Sequence, residues 1–495
     1  MPFPEHSVPD AMKEELLAAL SPHGQEHLLA FWDRLDDTRR RSLAEQIEAI
    51  DFAMVDRLYA RRNDQRGIHV MADRAGSPPA FRLDDDANRF TAEQAIERGR
   101  EALAAGHVGV ILVAGGQGTR LGYEHPKGMF AIGPVSGRSL FQIHVEKIRA
   151  VAKRYGVSVP LYLMTSPPTH DETVEFFDKN DRFQLPEEDV VVFCQGTMPA
   201  IDEATGKILL AAPSQIAVSP DGHGGMLAAL DRSGALADIR RRGIRQLFYF
   251  QVDNPLVDVC SPEFLGYHLL SRSELSSQVV AKTDPKERVG NVIEVDGRLR
   301  IIEYSDLPDD IANRRNEDGS LQIWAGSIAV HVMDVAMLQR MAAEIAGTSR
   351  VPSAGVLPFH FAHKKVDHLD AGGNLIEPEK PNAIKFERLI FDLLPSAENA
   401  IVVEVDPARG FAPLKNAPGA EIDTPEWVRA QMIAEHRRWL IEAGADVPDG
   451  VPVEICPLFA TGPDQLREKI EPGTKITAPT YLCRKRDPSP KNPNT

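Results

Sequence analysis

Apolar positions change their period along this chain, and the changes mark out its elements. Up to about Leu58 they recur at three- and four-residue steps, first Leu28, Leu29, Trp32 and Leu35, then Leu43, Ile47 and Ile50. That spacing predicts amphipathic helices whose task is packing. Thr91-Ala-Glu-Gln94 has the form of a capping box and opens a helix ending near Gly106. From Val108 to Val113 the apolar run is unbroken, as expected of a parallel strand covered on both faces. Ser139-Leu-Phe-Gln142 matches a second capping box, and Phe141, Val145, Ile148 and Ala152 share one face of the helix that follows. Val159 to Thr165 predicts a strand, Thr169-His-Asp-Glu172 the cap of a helix, and Val190 to Phe193 and Ile244 to Val252 two more strands. Strand-then-helix alternation of this kind predicts an α/β fold with a mostly parallel sheet and helices on its faces.

After Lys282 the pattern shifts. Two strand-like runs between Val289 and Tyr304 flank Asp296-Gly297, a favoured hairpin pair, and predict an antiparallel insertion bordering the site. Ile401 to Val405 predicts a strand, and Thr424 followed by Pro425 predicts a helix start. The proline- and charge-rich tail from Lys485 to Thr495 reads as disordered.

A chain of 495 residues exceeds what one core comfortably fills, so two or three domains are expected. Its net charge of -16 argues against a nucleic-acid or anionic-membrane partner. Cys194, Cys260, Cys456 and Cys483 form no CxxC pair and read as isolated reduced thiols. Met-Pro-Phe-Pro-Glu-His at the start lacks the features of a leader, and no apolar run approaches a membrane span, so the expected location is the cytoplasm.

The richest stretch chemically is Ala114-Gly-Gly-Gln-Gly-Thr-Arg-Leu-Gly122, which follows the Val108–Val113 run and leads to Pro126-Lys127. Glycines 115, 116, 118 and 122 let backbone N–H groups approach an anion, and Arg120 and Lys127 add cations suited to a triphosphate. The glycines are spaced GxGxxxG with no helix directly after them, unlike a dinucleotide fingerprint, and Lys127 is followed by Gly128-Met129, unlike a P-loop. A second cluster, Ser219-Pro-Asp-Gly-His-Gly-Gly225, offers a flat surface for a base or sugar with a ring hydrogen bond from His223, or else is a tight loop with a solvated histidine. Asp253 follows an apolar run and belongs at a strand's carboxyl end, as a ligand for Mg²⁺ or as a turn residue beside Asn254-Pro255. Lys385 and Lys415 are separate candidate cations, or solvated surface groups. His360, His363 and His368 suggest helix packing ahead of metal, and Asp84-Asp85-Asp86 a solvated linker ahead of a glycosyltransferase DxD.

Joined in order, these pieces resemble the eukaryotic-type UDP-sugar pyrophosphorylase family (UDPGP type 1), closest to its UDP-N-acetylglucosamine pyrophosphorylase branch. The resemblance runs from Gly24 to about Asn416 and is carried by the 114–122 loop, Pro126-Lys-Gly-Met129, Gln195-Gly-Thr-Met-Pro-Ala200, Pro220-Asp-Gly-His-Gly-Gly225, Val252-Asp-Asn254, Glu303-Tyr-Ser305, Ala325-Gly-Ser-Ile-Ala329, Pro381-Asn-Ala-Ile-Lys-Phe-Glu387 and Pro413-Leu-Lys-Asn416. It implies a helical N-terminal region (1–100), a Rossmann-like nucleotidyltransferase domain with a mixed, mostly parallel sheet (101–395), a small C-terminal domain (396–484) and a tail (485–495). It also implies a reaction of UTP with a sugar 1-phosphate that gives UDP-sugar and pyrophosphate. By position, Ala114, Gly115, Gly116, Lys127, Gln195, Gly222, Asp253 and Lys385 would serve UTP. His223, Glu303, Tyr304, Gly326, Ser327 and Lys415 would serve the sugar or its phosphate, and Asp253 would hold Mg²⁺. Catalysis would fall to Arg120, Lys127 and Lys415. Two positions depart from the N-acetylglucosamine branch, which typically has Asn at 223 and 327, while glucose-using relatives carry Gly-His-Gly. UDP-glucose or broad UDP-sugar pyrophosphorylase is therefore the alternative, and a non-catalytic nucleotide-sugar sensor a third reading. The five charged groups at 120, 127, 253, 385 and 415 favour catalysis.

Overall fold

The computed structural model of the chain describes residues 8–62, 66–83, 86–346 and 357–483. Asp84, Asp85 and the tail from Lys485 lie outside the described residues. The chain divides into two compact units, one made of Met1–Gly67, Gln195–Met226 and Leu357–Ile390, the other of Ile68–Cys194, Leu227–Val356 and Phe391–Thr495.

The larger unit is built on a 10-stranded sheet. Its strands are β1 (Ala80–Phe81), β2 (Val108–Val113), β3 (Leu161–Thr165), β4 (Val190–Cys194), β5 (Gln246–Gln251), β6 (Leu275–Ala281), β7 (Gly290–Val295), β8 (Arg298–Ile302), β9 (Ala325–Asp334) and β10 (Ala400–Glu404). The order is β1-β10-β6-β9-β5-β2-β3-β4, with β7 pairing both β8 and β9. Along this path every pair is parallel except the two that β9 makes with β6 and β5. Five of the six residues of β2 and five of the six of β5 are buried, which explains why neither run alternates. Beneath them lies an apolar core to which Phe141, Ile148, Phe177, Phe248 and Phe264 contribute.

Helices α1 (Ala92–Ala104), α2 (Leu140–Tyr155), α3 (Pro167–Lys179), α4 (Ala235–Arg241), α5 (Pro262–Leu270), α6 (Val335–Ile345) and α7 (Pro425–Glu442) belong to the same unit. The full box at Thr91–Gln94 starts α1. At α2 only half the expected box forms: Ser139 accepts from the Gln142 N–H, while the Gln142 side chain donates forward to Glu146 at 3.0 Å. The cap of α3 is Ser166, three residues before the Thr169 read from sequence. Pro167 is its first helical residue, and the Thr169 hydroxyl instead completes the box from inside the helix. Asp296 and Gly297 both take positive φ, 53° and 72°, and join β7 to β8 as a tight hairpin.

The smaller unit combines helices Val8–Leu20, Asp37–Glu48 and Phe52–Ala60 with a three-stranded sheet of Ile201–Asp202, Phe359–Lys364 and Ala383–Arg388. Leu28, Leu29, Trp32 and Leu35 are buried as expected, but the first three lie on 3-10 turns rather than an α-helix and Leu35 is the extended residue after them, the chain having turned through left-handed Gly24. His360 and His363 lie on a strand, not a helix, because Phe359 and Phe361 alternate onto the same face and pack on Phe386. Among the described residues no group of three His, Cys, Asp or Glu side chains is placed to hold a metal.

Candidate functional site

In the larger unit the candidate residues collect at one edge of the sheet, for a topological reason. β2 and β5 are parallel neighbours with Val113 opposite Gln251, so the glycine loop and Asp253 leave the sheet side by side. β9 runs antiparallel to β5, so its first residues, including Gly326 and Ser327, lie at that same edge. Carboxyl ends of parallel strands are where α/β sheets bind ligands.

The glycine loop is a closed hairpin. Gln117 bridges Pro126, Gly118 donates to the His125 carbonyl at 2.9 Å, and Lys127 donates to that of Gly116 at 3.0 Å. Gly122 is left-handed, and a Cβ on Gly118 would stand 2.8 Å from the Tyr123 carbonyl oxygen. Gly116 differs, because a Cβ there would meet nothing within 4 Å. The space beside its Cα is open, as a phosphate cradle needs. The loop is anchored by Ser166, whose hydroxyl donates to the Gly115 carbonyl at 2.6 Å. Arg120 is exposed on the 3-10 turn Thr119–Leu121, and Ala114 is buried.

Lys127 and Asp253 face each other, Nζ 3.6 Å from the carboxylate, with side chains 19% and 13% exposed. The carboxylate is therefore shielded but open to a ligand. Behind it, the His144 Nε2–H donates to the Val252 carbonyl at 2.9 Å. Burial, reinforced by the Lys147 charge, pushes the His144 pKa down to about 3, so the ring is neutral at pH 7. The Asp253 carbonyl in turn accepts the Leu414 N–H at 2.8 Å, which sets Lys415 beside the cluster. The Lys415 ammonium lies 5.7 Å from the centroid of the Phe411 ring.

On the β7–β9 side, a Cβ built on Gly290 would lie 3.7 Å from a Glu303 carboxylate oxygen and 3.8 Å from the Ser327 Cβ, so these three positions are neighbours. Tyr304 is 47% exposed. Gly326 is needed where it stands, since a Cβ would come within 2.6 Å of Val289. The β6–β9 pairing slips between Ser277 and Val279, and Ala329 takes a φ of 55°, so this stretch is irregular where the sugar candidates lie.

The smaller unit carries Gln195, Gly222, His223 and Lys385. Gly222 has a φ of 83°, and its Cβ would stand 2.3 Å from the Arg388 carbonyl oxygen. Gly222 and Gly224 thus answer first to close packing against the Arg388–Leu389 backbone, and Gly225 to the Asp221 carboxylate. His223 is not merely solvated. Its Nδ1 accepts the Ile390 N–H at 3.1 Å, which leaves the proton on Nε2. Burial, then His360, brings its pKa down to about 4. Asp221 is buried and pairs with Arg388 at 2.5 Å, a link the sequence did not advertise. Gln195 is buried, and Lys385 is half-buried on its strand opposite Ala362. A cavity of about 620 Å³ in the larger unit, bounded by α2, α7 and the 255–264 segment, contains none of these candidates.

A mixed, mostly parallel sheet with a phosphate-type glycine loop and an acidic residue at neighbouring strand ends defines an α/β protein of the nucleotidyltransferase class. Residues 55–440 match the family model described as UTP–glucose-1-phosphate uridylyltransferase. The chain is 35% identical to the UDP-N-acetylhexosamine pyrophosphorylase-like protein 1 of Homo sapiens, over 95% of this chain and 97% of that protein. It is 34% identical to the UDP-N-acetylglucosamine pyrophosphorylase of Saccharomyces cerevisiae, over 88% and 90%. Its fold is similar to that of the crystal structure of the Trypanosoma brucei UDP-N-acetylglucosamine pyrophosphorylase, with a TM-score of 0.75 and 25% identity over 96% of this chain and 99% of that one. The chain belongs to the UTP–glucose-1-phosphate uridylyltransferase family.

Proposed function

We propose that this protein transfers the uridylyl group of UTP to N-acetylglucosamine 1-phosphate, releasing pyrophosphate and UDP-N-acetylglucosamine. The observation that carries the reading is similarity along almost the whole chain to proteins named for UDP-N-acetylglucosamine or, more broadly, for UDP-N-acetylhexosamine. A phosphate oxygen of the sugar phosphate attacks the α-phosphorus of UTP, and the bond from that phosphorus to the pyrophosphate oxygen breaks in line. The nucleophile is already ionised, so no general base is required, and the work is positioning and neutralising charge.

In this reading the backbone from Ala114 through Gly115 to Gly116, open at Gly116, lies along the triphosphate. Lys127 and the exposed Arg120 offset charge on the leaving pyrophosphate, and Gln195, Gly222 and Lys385 complete the UTP contacts. Lys415 meets the sugar phosphate, while His223, Glu303, Tyr304, Gly326 and Ser327 meet the sugar. Asp253 fits a divalent ion held mostly by substrate oxygens. It is a shielded carboxylate that belongs to no group of three metal-ligating side chains among the described residues, which suits Mg²⁺, an ion that takes one or two carboxylates beside phosphates and waters. Such an ion would supply further charge neutralisation at the phosphates. Four free cysteines, and no described helix long and apolar enough to cross a membrane, support a cytoplasmic setting.

Glucose 1-phosphate is the second reading, favoured by His223 and Ser327 where the N-acetylglucosamine branch typically has Asn. His223 presents an Nε2–H donor, whereas Asn offers both a donor and an acceptor. Pyrophosphate release from UTP and Mg²⁺ across a panel of sugar 1-phosphates tests both. We expect release with N-acetylglucosamine 1-phosphate. A folded sample that releases it with no sugar would sink the enzymatic reading, and release with glucose 1-phosphate alone would establish the alternative.

A further inference from the structure

We infer that Asp423 is a positioning residue for this reaction and sets where the Lys415 ammonium stands, an inference that rests on the assignment of Lys415 to the sugar phosphate. No motif pointed to Asp423, which lies 170 positions from Asp253 in sequence. Its backbone is left-handed, with a φ of 62°, a conformation that Gly, Asn and Asp reach more readily than other residues. The reason is visible in its carbonyl, which accepts the N–H groups of both Lys415, at 2.9 Å, and Asn416, at 3.0 Å.

The other flank of Lys415 is tied to the strand end. Leu414 donates to the Asp253 carbonyl at 2.8 Å, Ala412 to the Asn254 side-chain oxygen at 3.0 Å, and the Asn254 amide to the Gly410 carbonyl at 2.8 Å. Lys415 is thus strung between two aspartates, Asp253 before it and Asp423 after it.

Charge gives a second, independent link. The Asp423 carboxyl is half-buried, and three influences act on it: burial raises its pKa, Lys415 lowers it and Asp253 raises it. Lys415, Asp253 and Asp423 therefore share one electrostatic neighbourhood, in which Lys127 already lies against Asp253. With Asp423 ionised, this neighbourhood holds two carboxylates for its two lysines. Without that charge, Asp253 is the acidic group left to draw Lys415 from the sugar phosphate. The bland alternative is a turn residue only, but Asn or Gly supplies the same left-handed turn without placing a negative charge near an anionic substrate. The two roles have opposite consequences. If the carboxylate merely repels substrate, removing it tightens binding; if it positions Lys415, removing it weakens binding.

The test uses the full chain, pyrophosphate release with N-acetylglucosamine 1-phosphate, and thermal unfolding of Asp423→Asn, Asp423→Glu, Lys415→Ala and the Lys415→Ala/Asp423→Asn double variant. We expect Asp423→Asn to unfold at the wild-type temperature, to keep its KM for UTP, and to raise the KM for the sugar phosphate on the order of 10-fold. In the Lys415→Ala background the same change should add nothing. Asp423→Glu, which keeps the charge but fits φ 62° poorly, should recover part of the KM while unfolding at a lower temperature. An unchanged or lower KM in Asp423→Asn, or effects that add to those of Lys415→Ala, overturns the inference. A wild-type sugar-phosphate KM in Lys415→Ala removes Lys415 from the reaction and this inference with it, while UDP-sugar formation by the wild type still stands.

Discussion

Lys127 and Asp253 hold each other at 3.6 Å, so the groups proposed to meet pyrophosphate and metal are pre-arranged. Replacing Lys127 by Ala should therefore cost on the order of 10²-fold or more in turnover, the usual scale for one lost electrostatic contact. The variant should unfold at the wild-type temperature, because neither side chain belongs to the apolar core. Wild-type kinetics in that variant would take Lys127 out of the mechanism. Gly222 is constrained differently, by a φ of 83° and by the Arg388 carbonyl 2.3 Å from where a Cβ would stand. Gly222→Ala should destabilise by roughly 2 kcal/mol or more, through strain and overpacking, as read by denaturant midpoint. An undisturbed midpoint would mean that the 388–389 backbone yields easily. Residues in contiguous motifs, such as those of the glycine loop, could be singled out from sequence. The roles of His144 and Asp423, and the pairing of Asp221 inside its motif, could not, since their partners lie 108, 8 and 167 positions away and act through backbone atoms or charge.

At the scale of elements, the glycine loop depends on a neighbour. Ser166 begins α3, its hydroxyl lying 3.0 Å from that of Thr169, and also donates to the Gly115 carbonyl at 2.6 Å, so one side chain links the helix start to the cradle. Ser166→Ala should lower stability by about 1 kcal/mol, the usual scale for a lost hydrogen bond. It should also raise the KM for UTP more than that for the sugar phosphate. Equal changes in both constants would argue against the anchoring role. Elements governed by local rules were legible: the unbroken run of β2, the Thr91 box, the Asp296-Gly297 hairpin and the Thr424-Pro425 start of α7. Those governed by tertiary fit were not. The 26–34 segment has helical spacing yet settles in 3-10 turns, and the His360 strand is defined by its pairing with Ala383–Arg388.

For the whole molecule, the least legible feature was that three separated segments form the smaller unit, because apolar spacing reports burial and not which distant segment provides it. Buried histidines give the molecule a pH signature. His144 has a pKa of about 3, against an ordinary 6.5 when the chain is unfolded. Between those values the unfolded chain takes up a proton that the folded one refuses. The stability from this group is complete above pH 6.5 and is lost as pH falls, with a limiting slope of about 1.4 kcal/mol per pH unit. Carboxyls raised by burial, such as Asp258, work in the opposite direction, so the wild-type curve alone does not isolate the histidine. His144→Gln keeps a donor for the Val252 carbonyl without the titration. Its denaturant midpoint should fall less between pH 7 and pH 5 than that of the wild type, and an equal fall would contradict the assignment.

On the proposed function, this fold makes UDP-N-acetylglucosamine. The most direct measurement offers equimolar N-acetylglucosamine 1-phosphate and glucose 1-phosphate to the enzyme in one vessel with UTP and Mg²⁺, and weighs the nucleotide sugars formed by mass spectrometry, since competing substrates divide by their kcat/KM. We expect UDP-N-acetylglucosamine to dominate; a predominance of UDP-glucose, or no nucleotide sugar from folded protein, would contradict the claim.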